Sequence, residues 1–469
     1  MLTERLAKLV LETREIPDAA VSAAKDAFVD TLGVALAGSL EECAEIAQRW
    51  VQQQGSASVA PIWGTHVKSS ALDAAFANGI ASHALDFDDS LPTLRGHPSA
   101  TLVPAILATG EMSAISGKAA LEAFVIGVEV AGILGKAVGT GHYLRGWHTT
   151  ATIGLMAATA AVARLLNLNS LQLQCAWGIA ASETSGLVGN FGTMTKPFHA
   201  GHAARSALVA ATLARSGFTA NSAIFEGKHS FFDTYAGDDG EKLESLLPHF
   251  ASSWQILSPS IYVKRWPCCY CNHRPVGGLF RLVSKHQIKV DEIKLIRIGF
   301  LPGSDEALVS EDPHTGLEGK FSIEYCAAAT LLDGKLGLDS FTDAMVQRPE
   351  IRVLMKKVRR ERIEAEGVYS GVVGYSDVSV ETTRGNFDMR VEETPGSPKW
   401  PMTATDRSEK FLDCAARVLG SPAAKSLLGI LDAMAAQSDL RAVSRLTSPD
   451  AATSARKTGT QALEEAGQP

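Results

Sequence analysis

The stretch Gly192-Thr-Met-Thr-Lys-Pro-Phe-His-Ala-Gly-His-Ala-Ala-Arg205 runs directly into Ala-rich apolar sequence from Ala203 to Ala214. Glycines and a proline followed by small apolar residues form the pattern of a loop entering a buried helix. The same stretch concentrates Lys196, His199, His202 and Arg205 in a chain that is acidic overall. Cations at the mouth of a buried helix are costly to desolvate unless something anionic uses them. The stretch therefore predicts a helical core and, at its edge, a pocket for a carboxylate-bearing small molecule.

Working outward, Val21–Ala37 places Ala24, Phe28, Leu32 and Leu36 on one helical face, with Lys25 and Asp26 elsewhere. Leu102–Met112, Ala119–Val138, Thr150–Leu166, Ser170–Leu187 and Ala203–Ser216 read as further helices, several of them apolar nearly all round and hence buried between other helices. Residues 1–258 are expected to form one multi-helix domain. After about Pro259 the texture changes. Ile293–Phe300 has the β-branched content of a strand, and Asp377–Thr383, Arg384-Gly385 and Asn386–Val391 read as a hairpin. Ile323–Leu332 and Phe341–Lys357 read as helices between them, so residues 259–395 are expected to form a smaller α/β domain. Pro395-Gly-Ser-Pro398 reads as a linker. Thr405–Leu419 and Ala424–Ala436 return to helix, so residues 396–447 are expected to pack back on the first domain. The tail 448–469 is rich in Ser, Thr, Ala and charge, a composition expected to be disordered. The fold class expected is mostly α with a smaller α/β (α+β) domain, the helical part being built from both chain ends.

A chain of 469 residues exceeds one ordinary core, and 46% hydrophobic with 20% charged residues is usual for a soluble globular enzyme. A net charge of −7 without a basic stripe argues against nucleic acid as a partner. The N-terminus lacks the uninterrupted apolar core of a signal peptide, and no apolar run is long enough and unbroken enough for a membrane span, so a cytoplasmic protein is expected. Seven cysteines, three of them in Cys268–Cys271, do not suggest a disulfide framework. Cys268, Cys269, Cys271 and His273 lie too close together to close a zinc tetrahedron without a second, distant pair. Asp86, Asp88 and Asp89 have no phosphate-binding glycine loop beside them, so no metal and no cofactor are expected. Taken alone, those three acids read as helix caps and surface charge.

Six motifs in order then resemble one family: Leu85-Asp-Phe-Asp-Asp89 with His97-Pro-Ser99, Gly146-Trp-His148, Thr195-Lys-Pro-Phe-His-Ala-Gly201, Lys264-Arg-Trp-Pro-Cys-Cys269 and Lys320-Phe-Ser-Ile-Glu-Tyr325. The chain resembles, over nearly its whole length, the MmgE/PrpD family, which contains 2-methylcitrate dehydratases, cis-aconitate decarboxylases and iminodisuccinate epimerase. The resemblance implies a homodimer, an active site between the two domains, and catalysis without an iron–sulfur cluster. It places the pocket on Asp86, His97, His148, Lys196, Lys264 and Tyr325, with Ser90 where the decarboxylases carry Thr. Two departures stand out. The loop from Ser90 to His97 is longer than in the decarboxylases, and their His after the Lys-Arg-aromatic-Pro motif falls on Cys269. His273 is the residue expected to fill that space.

On this reading Lys196, Lys264 and Arg274 bind carboxylates and stabilise charge, and His97 and His148 are general base and acid. Asp86 orients a histidine, Tyr325 donates to a leaving hydroxyl or a carboxylate, and Ser90, His199, Cys269 and His273 line the substrate. The first expectation is a metal-free hydro-lyase dehydrating a 2-methylcitrate-like hydroxy acid of propionate metabolism. The alternatives are two-base epimerisation of a dicarboxylic acid, cis-aconitate decarboxylation (disfavoured by Cys269), and a non-catalytic carboxylate-binding dimer.

Overall fold

The computed structural model describes residues 1–449 apart from 370 and 372, so the tail expected to be disordered lies, beyond residue 449, outside the described residues. The protein is mostly helical with a small sheet. Helices α1 (Leu2–Glu12), α2 (Asp18–Gly38), α3 (Glu42–Gln53), α4 (Ala71–Ala84), α5 (Ser99–Met112), α6 (Gly117–Leu144), α7 (Thr149–Leu165), α8 (Ser170–Glu183) and α9 (Thr195–Arg215) build the larger body. In α5 and α7 nearly every side chain is buried, as their all-round apolar sequences require. Small residues set the spacing. Helices α4 and α9 cross at Gly79 and Gly201, where a Cβ on Gly79 would lie 2.7 Å from the Gly201 Cα and one on Gly201 would lie 2.3 Å from the Phe76 carbonyl oxygen.

Helix α9 begins at Thr195, within the stretch expected to be a loop. Pro197 is its third residue, where the N–H that proline lacks has no intrahelical partner in any case. Lys196, His199, His202 and Arg205 are therefore helical residues, Lys196 and His199 buried and His202 and Arg205 half-buried. Helix α6 breaks at Gly139, whose φ is +71°. Asp239 accepts from the Thr140 and Gly141 N–H groups at 2.7 and 2.8 Å, so a second segment starts there and carries Tyr143 toward the site.

The chain's far end joins the same core. Phe411, Ala415, Val418 and Leu419 of helix Ala404–Leu419 are buried with Phe28 and Leu32 of α2. A Cβ on Gly33 would meet the Phe411 ring at 2.9 Å.

A second hydrophobic core surrounds a four-stranded sheet, while two short strands, β1 (Ala60–Pro61) and β2 (Lys68–Ser69), pair with each other in the larger body. Strand β3 (Ile293–Phe300) pairs in parallel with β4 (Val358–Arg362) and antiparallel with β5 (Ser376–Thr382), which forms a hairpin with β6 (Gly385–Val391). The hairpin turn is Thr383-Arg384, one residue before the expected position. Strand β4 was not expected, because Val-Arg-Arg-Glu-Arg carries a single apolar residue; it forms the sheet edge, where charge is tolerated. The helix expected over Phe341–Lys357 is broken into short pieces, Asp343–Val346 and Pro349–Met355, by Pro349. The helix expected to reach Leu187 stops at Glu183.

Pro395–Pro398 is not a loose linker. The Val263 N–H donates to the Gly396 carbonyl at 3.0 Å, and Gly396 adopts φ +90° where a Cβ would lie 1.9 Å from the Val263 oxygen. The chain thus passes between the two cores twice, side by side. No described helix is long and apolar enough to cross a membrane.

The Gly79–Gly201 crossing is a direct test of this packing. Gly201→Val should destabilise the protein by about 1–3 kcal/mol through overpacking, read from urea unfolding; unchanged stability would show that α4 and α9 are not in close contact.

Candidate active site

Helix α4 ends at Ala84, and the chain turns through Leu85, Asp86 and Phe87. Asp86 has φ +50°, a left-handed conformation that costs a non-glycine residue about 1–3 kcal/mol unless its surroundings hold it. Three buried ammonium groups do so. Lys320 Nζ donates to the Leu85 oxygen at 2.8 Å, Lys264 Nζ to the Asp86 oxygen at 2.7 Å and Lys410 Nζ to the Phe87 oxygen at 2.9 Å. The Asp86 carboxylate is hydrogen-bonded to Lys196 and lies 3.2 Å from Lys264 Nζ. Burial works to raise its pKa, but the two ammonium groups outweigh burial and hold the carboxyl well below the usual range. Ser90 and Tyr262 exchange backbone hydrogen bonds at 2.9 and 2.8 Å, which sets Lys264 in register with Asp86.

Four imidazoles gather beside this pair. His97 Nδ1 lies 2.6 Å from the Asp89 carbonyl oxygen and 3.4 Å from Asp88 Oδ2. Both neighbours only accept, so Nδ1 carries the proton and Nε2 is left as a free acceptor, 4.0 Å from Asp86 Oδ1. His83 Nδ1 likewise donates to Asp88 Oδ2 at 2.8 Å. His148 and His199 face each other through their Nδ1 atoms at 3.0 Å, a geometry that needs one donor and one acceptor. Burial lowers all four imidazole pKa values, His199 to about 4 and His97 and His148 well below the ordinary value. Burial also pushes the Asp89 carboxyl up to about 7, against its hydrogen bonds from Ser99. The imidazoles are thus neutral at pH 7. Lys196, Lys264, Lys320 and Lys410 are the buried cations here, facing the buried carboxylates of Asp30, Asp86 and Asp88.

A cavity of about 70 Å³ opens against this cluster, walled by Ser90, Arg95, His97, Tyr143, His148, Phe191, Lys196, Cys269 and Tyr369. It lies where the two cores meet. Lys196 Nζ sits 5.2 and 5.0 Å from the Phe191 and Phe321 ring centres, so the ammonium faces low-dielectric walls. Of the residues singled out in the sequence, Ser90, His97, His148, Lys196 and Cys269 reach the cavity wall, with Asp86, Lys264 and His199 directly behind them. Three others lie elsewhere. The Tyr325 hydroxyl donates to the Ser340 carbonyl, away from the cavity. The His273 ring stacks on Tyr270 at 4.6 Å and does not occupy the space beside Cys269. Arg274 is spent on the Glu392 and Gly371 carbonyls, at 3.0 and 2.6 Å.

Sequence reasoning missed His83, Asp88, Arg95, Tyr143, Phe191, Lys320 and Lys410. Lys320 opens the motif from which Tyr325 was taken. Thr149 and Thr150, in the first turn of α7, bond the Arg95–His97 turn: Thr149 Oγ1 donates to the Arg95 oxygen at 2.7 Å and Thr150 Oγ1 accepts from the His97 N–H at 3.0 Å. Asp86, Asp88 and Asp89 are buried rather than surface charge.

His83, Asp88 and His97 are the metal-compatible group among the described residues, with donor atoms within 4.8 Å of one another. Their donor atoms are already joined to each other and to Asp89 by the hydrogen bonds above, and a cation there would stand among the ammonium groups. The donor set fits a hydrogen-bonded relay better than a metal site. The cysteines are free thiols, and His273 Nε2 faces the Cys268 carbonyl, not a sulfur.

Residues 4–244 match the MmgE/PrpD N-terminal domain and residues 266–434 the MmgE/PrpD C-terminal domain. The chain is similar to human cis-aconitate decarboxylase, with 29% identity over 92% of this chain and 91% of the relative. It is 27% identical to the mouse cis-aconitate decarboxylase over 95% of this chain and 93% of that protein. The Aspergillus terreus cis-aconitate decarboxylase is 25% identical, covering 89% of each chain.

Buried neutral imidazoles make stability depend on pH with a definite sign. Between their lowered folded values and the ordinary value near 6.5, the unfolded chain binds more protons than the native one, so stability falls as pH falls through that window. The carboxyls of Asp30, Asp89, Glu111 and Glu129, raised by burial, oppose this, but His142 and His273, lowered by burial to about 4 and about 3, join the four imidazoles of the site on the other side. The melting temperature should therefore drop steadily from pH 7 to pH 5 in calorimetry; a flat profile would mean that these histidines are not buried and neutral.

Proposed function

The chain belongs to the MmgE/PrpD family, and on that premise we propose that it is a lyase breaking a bond next to a carboxylate in a small tricarboxylate of the cis-aconitate class. One observation carries the reading: Lys196 and Lys264 meet on Asp86 beside His97 at the wall of a buried cavity. The cis-aconitate decarboxylases that match along nearly the whole chain support decarboxylation as the reaction.

The chemistry follows from the charges. When a carboxymethyl group beside a carbon–carbon double bond loses CO₂, the electron pair of the broken bond moves into the alkene. The far alkene carbon must then take a proton. A trianion and one proton give a dianion and CO₂. Charge builds up on the remaining carboxylates, so donors fixed in a water-poor site stabilise the transition state. Lys196 is placed for that role at the wall, with Lys264 behind it fixing Asp86. His97 Nε2 and the His148–His199 pair are the groups that hold and move the proton. An arriving polyanion favours protonation of His97, and the resulting imidazolium is stabilised by Asp86 and Asp88. A homodimer working in the cytoplasm without a metal completes the proposal.

Dehydration of a 2-methylcitrate-like hydroxy acid is the second reading. It is favoured by the free acceptor at His97 Nε2, which is a ready base at pH 7, and by the thiol of Cys269 at the wall.

The purified protein offered cis-aconitate and 2-methylcitrate separates these readings. Release of CO₂ from cis-aconitate supports decarboxylation. A rise in near-ultraviolet absorbance from 2-methylcitrate without CO₂ supports dehydration, and turnover of neither contradicts the proposal. Lys196→Ala and His148→Ala should each lower kcat by at least about 10²-fold with the fold retained; near-wild-type turnover would remove that residue from the mechanism. Activity should survive a strong chelator, and loss that only added metal restores would overturn the metal-free assignment.

A further inference from the structure

Lys410 lies on helix Ala404–Leu419, far along the chain from the motifs that suggest chemistry, and it is almost fully buried. Its ammonium group makes three polar contacts: the Phe87 oxygen at 2.9 Å, the Lys264 oxygen at 3.0 Å and Asp30 Oδ1 at 2.7 Å. It also stands 3.9 Å over the Phe87 ring. The first contact is to the backbone of the residue next to Asp86, and the second is to the backbone of Lys264. Phe87 follows Asp86 directly, and Lys264 supplies the ammonium that meets the Asp86 carboxylate. One cation thus grips, from behind, the residue that bears the positive charge and the neighbour of the residue that bears the negative charge.

We infer that Lys410 is a positioning residue for the reaction, holding Asp86 and Lys264 in register from helix Ala404–Leu419. The inference rests on the proposed function only in that it concerns the same site. Lys410 does not reach the cavity and touches no substrate. Its effect is geometric: with it, the left-handed Asp86 and the Lys264 segment form one rigid unit, and Lys196 meets an Asp86 carboxylate of fixed position. Loosening that unit by a fraction of an ångström degrades the preorganised charges on which the transition state depends.

The competing explanation is that Lys410 merely neutralises Asp30, whose other carboxylate oxygen has no hydrogen-bond partner among the described residues. Lys410→Met alone strands Asp30 as a buried charge and can unfold the protein for that reason. The double variant Asp30→Asn/Lys410→Met removes both charges with little change in volume. It should melt close to the wild type and turn over cis-aconitate with kcat lowered at least about ten-fold while KM stays within about three-fold. Wild-type kcat in the double variant would show that only the ion pair matters and would overturn the inference. If the wild type itself does not act on cis-aconitate, it is the proposed function that fails, and amide hydrogen exchange then decides the role of Lys410. Peptides covering residues 85–90 and 262–266 should exchange at least about ten-fold faster in the double variant, with α2 and helix Ala404–Leu419 unchanged. Equal protection of those two segments in both proteins would equally overturn it.

Discussion

Three consecutive carbonyls, those of Leu85, Asp86 and Phe87, each accept a hydrogen bond from a different buried lysine. The rest of the site depends on this arrangement. Lys320 comes from the smaller core, Lys264 from the first crossing between the cores and Lys410 from helix Ala404–Leu419, so three distant parts of the chain converge on one turn. The energetics explain why a strained residue is tolerated. Hydrogen bonds to charged groups contribute about 1.5–3 kcal/mol each, which together exceed the roughly 1–3 kcal/mol of a left-handed Asp86. The larger cost is desolvation of the ammonium groups, several kcal/mol apiece, and Asp30, Asp86 and Asp88 offset it through pairing or proximity. Removing one member strands the others, so the cluster behaves as a unit.

The fold was legible in the sequence to the extent that burial leaves a period. Helices α5 and α7 announce themselves because every face is apolar, and the β5–β6 hairpin because its residues alternate. Strand β4 left no such trace, since an edge strand can be almost wholly charged. The start of α9 was hidden by Pro197, which reads as a breaker although it sits in the first turn, where proline is harmless. At the site, the motifs of the family resemblance led to Asp86, His97, His148 and Lys196, which the structure brings together. They could not distinguish Lys320 from Tyr325 within one motif, because which of two nearby side chains turns inward depends on the packing of Ile323–Asp333. Lys410 did leave a signal: it lies in the apolar stripe with Phe411, Cys414, Ala415 and Val418, where a lysine has no reason to be unless it is paired.

The electrostatics give the cavity a definite preference. Its imidazoles are neutral because burial penalises their charged forms, while the ammonium groups of Lys196, Lys264 and Lys410 are paired with buried carboxylates. A neutral ligand would gain nothing from this arrangement. On the proposed function, a polyanion would supply the charge that the histidines need in order to hold protons, so that ligand and proton would bind together. That coupling suits any reaction that breaks a bond beside a carboxylate and moves one proton, which is why the family's different chemistries fit the same frame.

Proton uptake on ligand binding is the most direct measurement of this coupling. Propane-1,2,3-tricarboxylate, an inert trianion, is titrated into the protein at pH 7 by calorimetry in buffers of different ionisation enthalpy. The expected result is saturable binding accompanied by net uptake of about one proton per site, because the neutral imidazoles become protonated beside the bound anion. Binding with no uptake or with proton release, or no binding at all, would contradict the idea of a dry, lysine-framed cavity whose histidines wait uncharged for a polyanion.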